Sequence, residues 1–122
     1  MSCDLIGDIN RCMCNIDIID KRMATANFIF DKEFLGFQGH FENNPVLPGV
    51  CKILSAVEVI KKWKGKDDLE LKEIKLAKFF RPITCDEELI FKCLENENLE
   101  NFSVKVSIAK EEEKVAELKL IF

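Results

Sequence analysis

One stretch of helical periodicity, Gly49 to Lys64, stands between segments that alternate as β-strands, and it limits the fold more than any other feature. Apolar side chains recur there at spacings of three and four residues and spread over a wide surface of the helix. They are Val50, Ile53, Leu54, Ala56, Val57, Val59 and Ile60. So wide an apolar surface predicts a helix that is largely surrounded by protein.

The ends of this helix carry their own signals. Pro48 lies just before its first turn, where a missing backbone N–H has no consequence. Gly65 is expected to end the helix, and Lys61, Lys62 and Lys64 place positive charge beside the negative helix end.

Strand patterns lie on both sides of the helix and bring most of the remaining chain into one sheet. Alternation predicts strands in the ranges 11–20, 23–30, 69–80, 88–94, 102–109 and 114–122. Two strands, a buried helix and four strands form an α+β architecture, in which one long central helix is wrapped by an antiparallel sheet of about five to six strands. A length of 122 residues suits a single domain over residues 1–122.

Composition argues against several classes of protein. The net charge is -4 with lysine and glutamate mixed along the chain, which gives no electrostatic footprint for nucleic acid. No apolar run approaches the roughly 18 residues of a membrane span, and the first residues lack the pattern of a signal peptide. We therefore expect a cytoplasmic protein that binds neither nucleic acid nor membrane.

The six cysteines predict neither disulfides nor a metal centre. Cys12 and Cys14 would point the same way on a strand, but a zinc site needs a second close pair of ligands, which the sequence lacks. Cys51 lies at the start of the helix, where a thiol pKa is expected to fall. With no second histidine nearby, packing is favoured over nucleophilic chemistry for Cys51.

The single histidine, His40, lies in the loop before the helix, in the run GFQGHFENNPVLPGV at residues 36–50. A lone histidine in a loop is more often structural, but an imidazole also titrates near neutral pH, as a general base must. The free N–H groups of Gly49 and Val50 at the helix start suit a carbonyl oxygen. Glycine at position 49 would let a substrate approach the backbone closely.

Two motifs then point to a family. Residues 37–41 (FQGHF) with residues 45–50 (PVLPGV), and the later segment 78–83 (KFFRPI), resemble the hotdog-fold dehydratases of the hydroxymyristoyl- and hydroxydecanoyl-acyl-carrier-protein type. The resemblance covers about residues 10 to 122. It implies the loss of water from (3R)-3-hydroxyacyl thioesters of fatty-acid or lipid metabolism, carried by acyl carrier protein or coenzyme A. It also implies a homodimer, or an assembly of such dimers, whose sites combine both subunits, with no cofactor and no metal.

The resemblance assigns His40 as the general base. It places the substrate against Phe41, Pro48, Gly49, Val50 and Leu54. The family keeps an acidic residue fourteen positions after the histidine, and here that position is Leu54. Glu58 lies one turn further on the same face, about 5 Å along the axis, so its catalytic role is tentative. Glu58 of the other subunit, a bound water and His40 acting twice are the candidates for the acid.

Two other functions stay open at this stage. A hotdog acyl thioesterase would use a carboxylate on the central helix, and Glu58 could be that group. A non-catalytic acyl-thioester binding protein would suit Leu54, because an apolar side chain in place of the acid permits binding without turnover.

Overall fold

A six-stranded antiparallel sheet and one long helix dominate the computed structural model, which describes residues 4–37, 45–96 and 102–122. The elements in chain order are α1 (Leu5–Cys12), β1 (Met13–Ile18), β2 (Met23–Ile29), a 3₁₀ turn (Leu35–Phe37), α2 (Gly49–Lys64), β3 (Glu73–Phe79), β4 (Glu88–Asn96), β5 (Ser103–Lys110) and β6 (Glu113–Ile121). The strand order is β1-β2-β4-β5-β6-β3. The predicted α+β architecture is therefore confirmed.

Helix α2 has the bounds that its flanking residues predict. It begins at Gly49, directly after Pro48. It ends at Gly65, which adopts the left-handed conformation with φ 64° and ψ 34°. The N–H of Lys66 donates to the carbonyl of Lys61 at 3.0 Å, so the last turn is closed as in other helices that end at glycine.

The core lies between α2 and one face of the sheet. Phe28, Phe30, Phe34 and Phe91 are fully buried in it, with ring centroids 4.6 Å apart for Phe28 and Phe91. Burying each such ring contributes about 2–3 kcal/mol. Most of α2 is enclosed as predicted, although Val50 remains 59% exposed at its first turn.

The predicted strand over residues 11–20 is wrong at its start, because Leu5–Cys12 form a helix. The Asp4 carboxylate accepts the N–H of Gly7 at 2.8 Å and so caps it, while Ile9 is fully buried. Cys12 consequently ends a helix and is buried, whereas Cys14 lies exposed on β1. The two cysteines do not share one strand face.

Strand β3 forms one edge of the sheet and is unusually open to solvent. It begins at Glu73 rather than at residue 69, and its residues are exposed except for the half-buried Leu76. Ile74 is 45% exposed, Phe79 45% and Phe80 52%. An uncovered strand edge with apolar side chains is typical of a pairing surface.

Candidate active site

The structure describes five of the seven predicted site residues. His40 and Phe41 lie outside the described residues, which stop at residue 37 and resume at residue 45. The other five lie on α2 or directly before it: Pro48, Gly49, Val50, Leu54 and Glu58.

The chain on both sides of residues 38–44 is fixed by hydrogen bonds to the fold. Before the gap, the Asp8 carboxylate accepts the N–H of Leu35 at 2.7 Å. After it, the N–H of Leu47 donates to the carbonyl of Ile83 at 2.7 Å, and both side chains are buried. The segments on both sides of residues 38–44 are therefore anchored, and the second of them is hydrogen-bonded to the motif at residues 78–83.

The first turn of α2 presents two free backbone donors. The Pro48 carbonyl accepts the N–H groups of Cys51 at 3.0 Å and Lys52 at 3.3 Å. Within the described ranges, no acceptor meets the N–H groups of Gly49 and Val50. A helix start with unsatisfied N–H groups favours a partly or fully negative oxygen.

Gly49 is in close contact with an aromatic ring of β3. A Cβ atom at position 49 would lie 2.9 Å from Cζ of Phe79 and 3.0 Å from a neighbouring ring carbon. A larger residue at position 49 would therefore have to displace the end of this ring. The half-exposed Phe79 forms one wall beside the helix start.

Lys52 was missed by the sequence analysis. Its side chain is only 3% exposed, and its Nζ lies 5.1 Å from the centroid of the Phe79 ring. None of the carboxylates in the described part of the chain forms an ion pair with it. Burial holds the pKa of this ammonium below its usual value. The sequence contained one signal for the burial of Lys52: it lies four residues before Ala56, on the wide apolar surface of the helix.

Glu58 has a structural role within its own protomer. It is 7% exposed, accepts a hydrogen bond from Nδ2 of Asn10 at 3.0 Å, and lies 3.3 Å from Nζ of Lys61. The hydrogen bond from Asn10 ties α2 to α1, and the ion pair with Lys61 lies within α2. Leu54, one turn earlier, is half-buried and belongs to the rim of the core.

Cys51 behaves as a packing residue. It is 2% exposed, and burial raises the pKa of its thiol. The expected lowering by the helix start is therefore wrong, because desolvation disfavours the thiolate more than the helix favours it. Ser55 uses its hydroxyl to donate to the Cys51 carbonyl at 2.6 Å.

Other features of the structure do not compete with this site. An open cavity of about 670 Å³ lies at the opposite end of α2, lined among others by Lys64, Leu69 and Phe122. Among the described residues there is no cluster of potential metal ligands and no helix with the length and apolar character to cross a membrane.

Comparison with known proteins defines the class of protein. The sequence model of the ApeI-like family, described as ApeI dehydratase, matches residues 17–119. The chain therefore belongs to the ApeI-like dehydratase family, a hotdog-fold family, as the two motifs predicted.

A curated relative supports this assignment over a shorter stretch. A segment of 53 residues is 42% identical to the 3-hydroxyacyl-[acyl-carrier-protein] dehydratase FabZ of Enterococcus faecalis. The match covers 38% of this chain and spans 35% of the length of that relative.

Solved structures share the fold at low sequence identity. The dehydratase heterocomplex ApeI:P of Xenorhabdus doucetiae superposes with a TM-score of 0.73 at 18% identity, over 89% of this chain and 94% of that one. A hypothetical thioesterase with coenzyme A from Streptococcus pneumoniae superposes with a TM-score of 0.64 at 12% identity, over 97% and 93%. At these identities the likeness shows the hotdog fold alone.

Proposed function

We propose that this chain is a hydro-lyase that removes water from (3R)-3-hydroxyacyl thioesters in fatty-acid or lipid metabolism, and adds it in the reverse direction. The observation that carries the proposal is the first turn of α2, where the N–H groups of Gly49 and Val50 are free directly after the histidine motif. Membership of a dehydratase family supports the reaction type.

In the proposed reaction His40 takes the proton from C2 of the acyl group. The electron pair of that C–H bond forms the C2–C3 double bond, and the C3–O bond breaks. Negative charge builds on the thioester oxygen meanwhile, and the N–H groups of Gly49 and Val50 stabilise it. Removing one such donor typically costs about 3 kcal/mol of transition-state stabilisation.

The departing hydroxyl needs a proton to leave as water. We propose that His40 returns the proton it has taken, so that one imidazole serves twice. The contacts of Glu58 with Asn10 and Lys61 favour this over Glu58 as the acid. Leu54, which occupies the position where other family members keep their carboxylate, then contacts the acyl chain together with Phe41 and Pro48.

The substrate carrier is proposed to be acyl carrier protein or coenzyme A. The FabZ relative is named as acting on carrier-protein thioesters, which supports the first. We also propose that two copies of the chain pair through the open edge of β3. Ile74, Phe79 and Phe80 would be covered there, and Phe79 would bring the site close to the partner subunit.

The test uses purified protein with 3-hydroxyacyl and trans-2-enoyl thioesters of several chain lengths, on acyl carrier protein and on coenzyme A. Interconversion by the wild type that is lost in His40→Ala supports the proposal. Absence of conversion by a folded dimer, with every carrier and chain length, contradicts it.

A thioesterase is the second candidate, because the buried Glu58 is a carboxylate on the central helix and the fold is shared with a coenzyme A-bound hypothetical thioesterase. Release of free thiol from acyl-coenzyme A that disappears in Glu58→Gln would favour it. Tight acyl-thioester binding with neither reaction would instead favour a non-catalytic binding protein, as Leu54 allows.

A further inference from the structure

We propose that Lys52 is a further catalytic residue of this site, whose ammonium stabilises the thioester oxygen of the substrate as that oxygen becomes negatively charged. This inference rests on the proposed function, since it concerns the same acyl thioester. It adds a cation to a site that the motifs describe only by His40 and the backbone donors of Gly49 and Val50.

Lys52 lies close to the start of α2. Nζ of Lys52 lies over the face of the Phe79 ring, 5.1 Å from its centroid. The rim of the same ring touches Gly49, where an added Cβ would come within 2.9 Å of Cζ. The ammonium and the first residue of α2 therefore lie against one aromatic ring.

Lys52 has no counter-ion among the residues that the structure describes. Lys52 is only 3% exposed, whereas lysine side chains usually lie at the surface. No carboxylate in residues 4–37, 45–96 or 102–122 forms an ion pair with it. Buried charges are normally paired, and an unpaired one destabilises the fold. An anionic ligand oxygen would supply the missing partner.

The electrostatics of the helix start and of Lys52 act in the same direction. Free N–H groups at a helix start and a buried ammonium both favour negative charge, and both act strongly where water is excluded. The Phe79 ring holds the cation by a cation–π contact. Because the charge on the thioester oxygen grows only during proton abstraction, such a group lowers the barrier rather than tightening ground-state binding. Lys52 gives up no proton in this role.

Lys52→Met is the decisive variant, because methionine keeps the apolar stem and removes the charge. We expect kcat for dehydration to fall about 100-fold, with KM changed only a few-fold. We also expect the melting temperature to rise, because an unpaired buried charge is removed. Lys52→Arg keeps a positive charge and should recover part of kcat. Lys62→Met, an exposed lysine on the same helix, is the matched control and should leave kcat unchanged.

A second measurement does not depend on dehydration. Acetoacetyl-pantetheine, which carries no phosphate, forms an enolate that absorbs in the near ultraviolet. The wild type should stabilise this bound enolate, and Lys52→Met should lose the absorbance while Lys62→Met retains it. Because the probe has no phosphate, an effect of Lys52→Met on it shows that Lys52 acts on the thioester oxygen and not on a phosphate of the carrier.

These results separate the two proposals. Enolate absorbance that depends on Lys52, in a protein without dehydratase activity, upholds the Lys52 inference and rejects the reaction. Dehydration that is unaffected by Lys52→Met overturns the inference and leaves the reaction standing. A fall in kcat accompanied by a lower melting temperature or loss of the dimer also overturns it, since Lys52 would then be a structural cation. Absence of the enolate band in the wild type overturns it as well.

Discussion

The backbone of Gly49 and the ring of Phe79 are in direct contact, so the start of the central helix and the open edge strand form one surface. A methyl group at position 49 would lie 2.9 Å from Cζ of Phe79. The contact places an aromatic wall, a buried lysine and two free N–H groups within the same region.

Replacing Gly49 by alanine should therefore displace the Phe79 ring. Because that ring is 45% exposed and can move, we expect the melting temperature to change by only a few degrees. We expect kcat to fall at least about tenfold, since the added methyl group blocks close approach to the backbone donors. Steady-state kinetics and thermal unfolding of Gly49→Ala measure both.

Phe79→Ala is the matched partner for this variant. If the ring transmits part of the effect, Gly49→Ala should reduce kcat less in the Phe79→Ala background than in the wild type. Equal reductions of kcat in the two backgrounds would show that the contact with the Phe79 ring does not contribute to the effect of Gly49→Ala.

Glu58→Gln should leave kcat within a few-fold of the wild type. The glutamine oxygen still accepts the hydrogen bond from Asn10, and its amide can donate to Oδ1 of Asn10, which is buried without a partner. Glu58→Ala should instead lose about 1 kcal/mol of stability, because the Asn10 amide then keeps only its hydrogen bond to the Ile6 carbonyl. Urea unfolding and kinetics check these expectations, and a 100-fold lower kcat in Glu58→Gln would make Glu58 a catalytic group.

Asp8 links α1 to the segment that precedes the histidine motif, and the link should depend on pH. The pKa of this carboxyl is lowered, first by its hydrogen bond from Arg11 at 2.6 Å and also by the N–H of Leu35. The ionised Asp8 carboxylate therefore stabilises the folded chain above pH 3.8, the usual pKa of an aspartate. This stabilisation is lost as the pH falls through the lowered pKa of the folded state. Asp8→Asn should lose about 1 kcal/mol at pH 7, and less near pH 3.

Asp8→Asn also tests whether the hydrogen bond between Leu35 and Asp8 matters for activity. We expect Asp8→Asn to lower kcat/KM severalfold while circular dichroism stays unchanged. Asp17→Asn, an exposed carboxylate on β1, is the control. An unaltered kcat/KM in Asp8→Asn would mean that the histidine motif holds its geometry without this anchor.

Cys93 should limit stability at high pH. It is fully buried on β4, and burial raises the pKa of its thiol to about 12 from 9.0. Between these values the unfolded chain ionises this thiol and the folded chain does not, so stability falls as pH rises. The expected slope is about 1.4 kcal/mol per pH unit. Unfolding of Cys93→Ala between pH 9 and pH 11 should show a shallower fall than the wild type, and parallel curves would contradict the assignment.

Local signals explain why the central helix was predicted with the bounds it has. Pro48 and Gly65 act on the backbone next to them, so they are readable without any tertiary contact. Helix α1 was missed because it has only 8 residues and is stabilised by docking of Ile9 into the core.

The site was predictable only in part for a related reason. The motif and the helix start lie in one stretch of sequence, and both could be identified there. The surroundings of the Lys52 ammonium include the ring of Phe79, which lies on β3, far from Lys52 in sequence. The thiol pKa of Cys51 likewise depends on burial by the rest of the fold. Contacts between distant segments set these properties, so periodicity alone did not reveal them.

The most direct test of the proposed reaction compares the wild type with His40→Ala and His40→Gln, using a 3-hydroxyacyl thioester on acyl carrier protein and following the enoyl product. We predict conversion by the wild type and a loss of about 10²–10⁴-fold in kcat in both variants, with unchanged folding and dimer content. Equal rates in wild type and variants, or no enoyl product from the wild type with any carrier, would contradict it.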